Sequence, residues 1–142
     1  MVEEGMTLED PLDGIRERVA REPYSRILGI RLVDLGPGWA VTEMDCTEEM
    51  EDLLGMTHGG ALFSLVDEAF GAAGNSRGSV ALALNVQITF VAPPSPREIL
   101  RAEAKEIKRE GRISNFEIRV KGEAGRIVAM ALGTAYVKGE EL

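Results

Sequence analysis

The chain has 142 residues, 44% hydrophobic and 28% charged, with 16 Lys and Arg against 24 Asp and Glu for a formal net charge of -8. That length fits one domain with a real core. The acidic balance disfavours sequence-independent binding to nucleic acid, which needs dense Lys and Arg to displace counterions, and argues against an anionic membrane surface. Cys46 and His58 are the sole cysteine and histidine, so no intramolecular disulfide and no cysteine-based zinc site can form, and no metal centre is expected. The acidic N-terminus lacks the apolar stretch of a signal peptide and no run reaches transmembrane length, which makes the cytoplasm the expected compartment.

Residues 1–10 carry no pattern and are expected to fray. Residues 10–28 carry a short helical pattern with Ile15, Val19, Ile27 and Leu28 as apolar positions and Asp10 or Asp13 as cap. Gly29 to Leu35 and Trp39 to Cys46 read as two strands joined by a Gly36-Pro37-Gly38 turn. Thr47 to Leu54 is acidic and suits a helical turn capped by Thr47. Residues 58–75 form the main helix, apolar around nearly its whole circumference and therefore expected to be buried. From Val80 the apolar residues Leu82, Leu84, Val86, Ile88 and Phe90 fall on every even position, a strict period of two that ends at Pro93-Pro94-Ser95-Pro96. Ile99 to Ile107, Phe116 to Val120 and Ile127 to Val137 complete four successive strands, expected to be antiparallel neighbours because mostly short turns join them. One long apolar helix with about six antiparallel strands defines an α+β class, a sheet wrapped around a helix. No linker or internal repeat divides residues 1–142, and residues 1–23 read as an N-terminal extension with a short helix.

The segment that carries chemistry is Gly55-Met56-Thr57-His58-Gly59-Gly60, which runs straight into the apolar helix holding Asp67. A helix start offers unpaired N–H groups that can hold a developing oxyanion. A carboxylate on an apolar helix is costly unless something uses it. Together they point to acyl transfer or acyl hydrolysis.

His58-Gly59-Gly60 with Asp67 nine residues beyond the histidine, followed by the period-two strand ending near Pro93, resembles the hotdog-fold thioesterases, in particular their phenylacetyl-CoA thioesterase-like group. The resemblance runs from about Tyr24 to Val137. It implies a hotdog fold with five to six antiparallel strands around a central helix, dimers joined sheet edge to sheet edge, and an acyl-CoA substrate hydrolysed between two subunits. Carried over residue by residue, it makes Asp67 the catalytic carboxylate, Gly59 the residue whose backbone N–H polarises the thioester carbonyl, Gly60 a point of close backbone approach, and His58 the residue that shapes the start of the helix. Two positions depart from the family pattern. Asp52 stands where an asparagine is frequent, and Ala83 or Asn85 where some relatives carry serine.

The spacing alone says more. Nine residues of α-helix rise about 13.5 Å and turn through about 900°, so His58 and Asp67 point to opposite sides. One chain cannot close both on one carbon, and two chains related by a two-fold axis can. The spacing makes a homodimer the minimal unit, and the resemblance implies a homotetramer as the expected assembly.

Several residues have both a functional and a structural reading. Ser64 either lines the pocket or bonds the carbonyl four residues back. Without a neighbouring histidine it makes no Ser-His-Asp triad. Asn85 faces either a ligand or solvent. Arg109, Arg112 and Ser114 either hold the phosphates of coenzyme A or form a solvated hairpin turn. Cys46, in a strand-like run, reads as a structural thiol. Leu62, Phe63, Val66 and Phe70 are candidate walls for an aryl-acetyl or medium-chain acyl group. The expected activity is hydrolysis of an acyl-CoA to free acid and CoA with no cofactor beyond the substrate's own coenzyme A. The alternative is a non-catalytic acyl-CoA-binding module of the same fold.

Overall fold

The computed structural model describes residues 10–142, so the expectation of a frayed N-terminus falls outside the described residues over positions 1–9. Two short helices open the fold, α1 (Pro11–Arg21) and α2 (Pro23–Leu28). The sequence pattern had suggested one. Pro23 has no N–H to continue the first ladder and restricts Glu22 before it to an extended conformation, observed at φ -68° and ψ 118°. Asp10 caps α1, accepting from the Leu12 N–H at 2.9 Å. Strands β1 (Arg31–Gly36) and β2 (Trp39–Asp45) form the expected hairpin. A single 3-10 turn at Glu48–Met50 follows, with Thr47 in the capping position but making no side-chain cap. Then come α3 (Gly59–Asn75), β3 (Ser79–Phe90), β4 (Ile99–Glu110), β5 (Ile113–Lys121) and β6 (Ile127–Glu141).

All six strands join one antiparallel sheet in the order β1-β2-β4-β5-β6-β3, with α3 laid across one face. The last four strands are not all neighbours in chain order. β3 pairs with β6, and β4 pairs with β2 and β5. The proline run 93–96 explains the difference, since a tight hairpin cannot be closed through residues that lack N–H donors or fix φ. β3 is thereby left as an edge strand.

The core is the contact between α3 and the sheet. Leu65, Val66 and Ala69 have no exposed surface, and Phe70 is 2% exposed. Phe70 meets Phe116 of β5 with ring centroids 5.4 Å apart and planes tilted by 57°, a favourable aromatic geometry. Its ring also covers Gly133 of β6 so closely that an added Cβ there would lie 2.9 Å from two ring carbons. The helix is not buried all round, as its composition had suggested. Gly60, Asp67 and Gly71 are exposed and Phe63 and Gly74 half-buried. At 100° per residue these five fall within one narrow arc.

The period-two pattern of β3 conceals a change of face. Ala81 and Ala83 lie opposite the buried Val137 and Ala135, but the register shifts before Asn85, and from there Val86, Ile88 and Phe90 lie opposite Gly133, Ala131 and Ala129. The shift is a β-bulge, which adds one residue to one strand and reverses which set of side chains faces inward. Leu82 and Leu84, expected to share a face with Val86, are instead 53% and 59% exposed.

One buried carboxylate locks the loops at one end of the sheet. Glu98 is 4% exposed and accepts from the Ser95 and Glu123 N–H groups at 2.7 and 2.8 Å and from Arg126 at 3.1 Å. Burial alone would raise its pKa, but these hydrogen bonds and the Arg126 charge outweigh it and hold the carboxyl below the usual glutamate range. A depressed folded-state value means that the group's stabilisation is present above the unfolded pKa and is lost as pH falls through the folded one. Glu98→Ala should cost about 2–3 kcal/mol at pH 7 by urea unfolding, after discounting for the exposed side of Arg126. The deficit should shrink in acid.

Candidate functional site

The loop before α3 sets the first half of the site. Asp52 folds it: its Oδ1 accepts from the Leu54 and Met56 N–H groups at 2.8 and 3.1 Å, and its own N–H donates to the Met56 carbonyl at 2.7 Å. The His58 N–H donates to the Met50 carbonyl at 2.6 Å. The His58 ring then caps the helix, its Nδ1 accepting from the Gly60 N–H at 2.8 Å. His58 thus serves as the helix cap, shaping the start of α3. The Gly60 N–H is thus occupied. Among the described residues, the Gly59 N–H donates to no protein group. Gly59 lines a cavity of about 300 Å³ with Asp52, Thr57, Leu62, Phe90 and Pro93. A Cβ on Gly59 would stand 3.1 Å from the Phe90 ring.

Asp67 belongs to a different cavity. It lines a space of about 370 Å³ together with Ile15, Val19 and Glu22 from α1 and its end, Glu68 and Ala72 of α3, and Leu82 of β3. The eight residues from Gly59 to Asp67 rise about 12 Å along the axis, and the two residues line different cavities. The separation inferred from spacing is therefore what the fold displays: an open donor at one end of α3 and a carboxylate near the other. The Asp67 side chain reaches the surface, yet loss of hydration beside α1 and α3, and next the charge of Glu22, push its pKa up. Glu68 is half-buried and is pushed up to about 8, by burial first, then by a hydrogen bond with Glu22 and by the charges of Glu22 and Asp67. Burial and the Glu22 and Asp67 carboxyl groups thus favour the protonated form of the Glu22–Glu68 pair beside Asp67.

The other expected residues divide. Ser64 hydrogen-bonds the Gly60 carbonyl four residues back at 2.8 Å and also meets the Tyr24 hydroxyl at 2.9 Å. It is 8% exposed and pins α2 to α3. Ser114 is 1% exposed, with its hydroxyl given to Glu106 at 2.6 Å, so it is no phosphate ligand. Its place in a strand rather than a turn accounts for the error. Arg109 and Arg112 are exposed at the β4–β5 turn, where the Arg109 Nε donates to the Gly111 carbonyl. Ile113 pairs with Tyr136 and Tyr136 with Leu82. The turn therefore lies two strand spacings, about 10 Å, from Leu82 at the Asp67 cavity. Asn85 lies exposed just past the bulge of the edge strand. Of the proposed walls, Leu62 reaches the Gly59 cavity, Phe70 lines a smaller space with Asp67, Phe63 is half-buried and Val66 is wholly in the core. Cys46 is buried and burial raises its pKa, leaving an inert thiol. Ile15, Val19 and Glu22 were not anticipated as site residues. Their apolar spacing was visible, but nothing local says which face of α1 meets Asp67.

With this geometry described, comparison with known proteins assigns the family. The thioesterase superfamily profile matches residues 54–129. A putative esterase of Archaeoglobus fulgidus is 36% identical over 115 residues, 81% of this chain and 75% of that protein. The acyl-coenzyme A thioesterase PaaI of Escherichia coli is 32% identical over 113 residues, 79% of this chain and 80% of that protein. The structure of the E. coli PaaI protein, from the phenylacetic acid degradation operon, superposes with a TM-score of 0.87 at 27% identity, covering 92% of this chain and 95% of that one. The chain belongs to the thioesterase superfamily, in its PaaI-like hotdog branch, and is a thioester hydrolase.

Replacing the helix cap separates its structural role from chemistry. His58→Ala removes the acceptor of the Gly60 N–H and should lower stability by about 1 kcal/mol in urea unfolding. His58→Asn, which also caps well, should recover most of it.

Proposed function

We propose that the protein hydrolyses an acyl-CoA, with an aryl-acetyl or medium-chain acyl group, to the free acid and CoA, working in the cytoplasm as a homodimer or homotetramer. The observation that carries this reading is the free Gly59 N–H at the start of α3, paired in function with a carboxylate of raised pKa on the same helix. The edge position of β3, with Leu82, Leu84 and Phe90 each more than half exposed, supports pairing of two β3 strands across a two-fold axis. The exposed arc of α3, bare of side chains at Gly60 and Gly71, supports close approach of a second α3 running the opposite way. Such a dimer sets the Gly59 cavity of one subunit against Asp67 of the other, twice.

In each site the thioester carbonyl oxygen accepts a hydrogen bond from the Gly59 N–H at the positive end of the helix. Asp52 can only accept, so polarisation rests on the backbone donor. Asp67 removes a proton from water, the water oxygen bonds to the carbonyl carbon, and the carbon–sulfur bond breaks to release the CoA thiolate. In the alternative route Asp67 itself attacks, giving a mixed anhydride that water then cleaves. The thiolate leaves without strong acid assistance, its conjugate thiol having a pKa of about 8–9. No metal or redox cofactor enters either route. Arg109 and Arg112 are the guanidinium groups proposed to meet the CoA phosphates.

Mixing the protein with a panel of acyl-CoAs and a thiol reagent tests this directly. Turnover of phenylacetyl-CoA or medium-chain acyl-CoAs is expected, with a loss of at least about a hundredfold in Asp67→Asn. Tight binding without thiol release would instead favour a binding module. The pH profile adds a second check. As a base, Asp67 works when ionised, so the acid limb of kcat should lie above the ordinary aspartate range. Glu22→Gln removes one cause of the upward shift and should move that limb to lower pH, only partly, because lost hydration is the larger cause.

A further inference from the structure

The Asp67 cavity is walled on one side by α1, an element that lies outside the stretch matched by the family profile. A thioester held at Asp67 has two arms, the acyl group and the pantetheine of CoA, and the chemistry of the cavity distinguishes them. Its interior surfaces are apolar: Ile15 and Val19 of α1, Ala72 of α3, and Val80 and Leu82 of β3. The one side-chain amide there, Asn75, has both its N–H groups engaged. Its Nδ2 donates to the Gly71 and Ala81 carbonyls at 2.8 and 3.2 Å, and its Oδ1 accepts from the Ala81 N–H at 2.9 Å. Against these apolar surfaces the two amides of pantetheine would find no partner beyond the charged groups of Arg18, Glu22, Asp67 and Glu68, and elsewhere would lose hydration without return. An apolar acyl group loses nothing. The volume, about 370 Å³, lies at the small end of the range for small-molecule sites. Charge adds a second filter. The carboxyl groups of Glu22 and Asp67 face this space, with the Glu68 carboxyl beside them, and Arg18 is the one guanidinium among the lining residues.

We infer that α1 forms the acyl-selecting wall of the site, with Val19 and Ile15 limiting acyl length and the neighbouring carboxyl groups rejecting acyl groups that end in a carboxylate. The inference rests on the thioesterase reading above and extends it to the substrate class: uncharged apolar acyl-CoAs are taken, dicarboxylic half-esters of CoA such as succinyl-CoA and glutaryl-CoA are refused. The Tyr24–Ser64 contact holds α2, which follows directly on α1, against α3.

The test is a chain-length series on the full chain. Acetyl-, butyryl-, hexanoyl-, octanoyl- and phenylacetyl-CoA are compared with succinyl- and glutaryl-CoA by kcat/KM. Val19 is half-buried, so both a larger and a smaller residue can be accommodated. Val19→Trp fills the space and should reduce kcat/KM for octanoyl- and phenylacetyl-CoA by about tenfold or more, with a smaller loss for acetyl-CoA, moving the optimum to shorter chains. Val19→Ala should move it to longer chains. Glu22→Gln should raise succinyl-CoA turnover relative to butyryl-CoA. Circular dichroism melts confirm that each variant is folded, and the two Val19 substitutions pull in opposite directions, which a general loss of fold cannot do. An unchanged length profile in both Val19 variants, in an enzyme that does hydrolyse acyl-CoAs, would overturn the wall alone. Absence of turnover on every acyl-CoA by the native chain would overturn the hydrolysis reading and this inference with it. Efficient succinyl-CoA hydrolysis by the native chain would overturn the charge filter.

Discussion

Phe70 resting on the bare backbone of Gly133, with Phe116 at its edge, is the contact on which the rest of the molecule depends. A sheet of six strands has one face to bury, and a helix can cover it only where the two approach closely. The missing side chain at Gly133 gives Phe70 its seat in the middle of the sheet. Leu65, Val66 and Ala69, with no exposed surface, then close the surrounding space. The depth of that seat fixes how α3 lies, and with it which residues of α3 face outward. Asp67 and Gly71 fall on the outer arc because Phe70 and Val66 fall on the inner one.

The same orientation governs the electrostatics. A carboxylate in the inner arc would be an unpaid burial of charge and would simply remain protonated. One on a fully open surface would titrate as an ordinary aspartate. Asp67 lies between these limits, because α1 and α2 cover one flank of α3 and leave the other open. Glu68, one residue along and closer to that cover, is pushed much further, to about 8. Two adjacent carboxyl groups on one helix are thus both shifted upward from positions about 100° apart around it.

Much of this was legible in the sequence. The helix at 59–75, the hairpin at 31–45 and the strand periods followed from local spacing, and the His-Gly-Gly start with Asp67 was enough to separate two half-sites along one helix. What local spacing could not supply was anything decided by a partner strand. The bulge in β3 reverses its inward face after Ala83, but the residues themselves continue to alternate, because Ala81 and Ala83 are as suited to a core as Val86 and Ile88. The pairing of β3 with β6 is settled by strands far apart in the chain. Ser114 looked like a turn residue because Gly111 and Arg112 precede it, yet β5 begins at Ile113 and turns the hydroxyl inward to Glu106. The contribution of α1 to the Asp67 cavity was hidden for the same reason, since amphipathic spacing shows that a face is buried without showing against what.

The position of β3 has a consequence for how the chain reaches this structure. Among the described residues its one neighbour in the sheet is β6, whose residues 127–141 are made after those of β1, β2, β4 and β5. While the chain emerges from the ribosome, β1, β2, β4 and β5 can assemble from contacts already available, but β3 must wait, connected on both sides and paired to nothing. Its exposed leucines become an ordered edge only once β6 has emerged to pair with it. Nascent chains crowded along one message therefore lack the template for edge-to-edge association during the interval when their hydrophobic surface is most exposed. Late closure by a long-range strand pair is slow in kinetic terms, and here that delay keeps assembly behind folding.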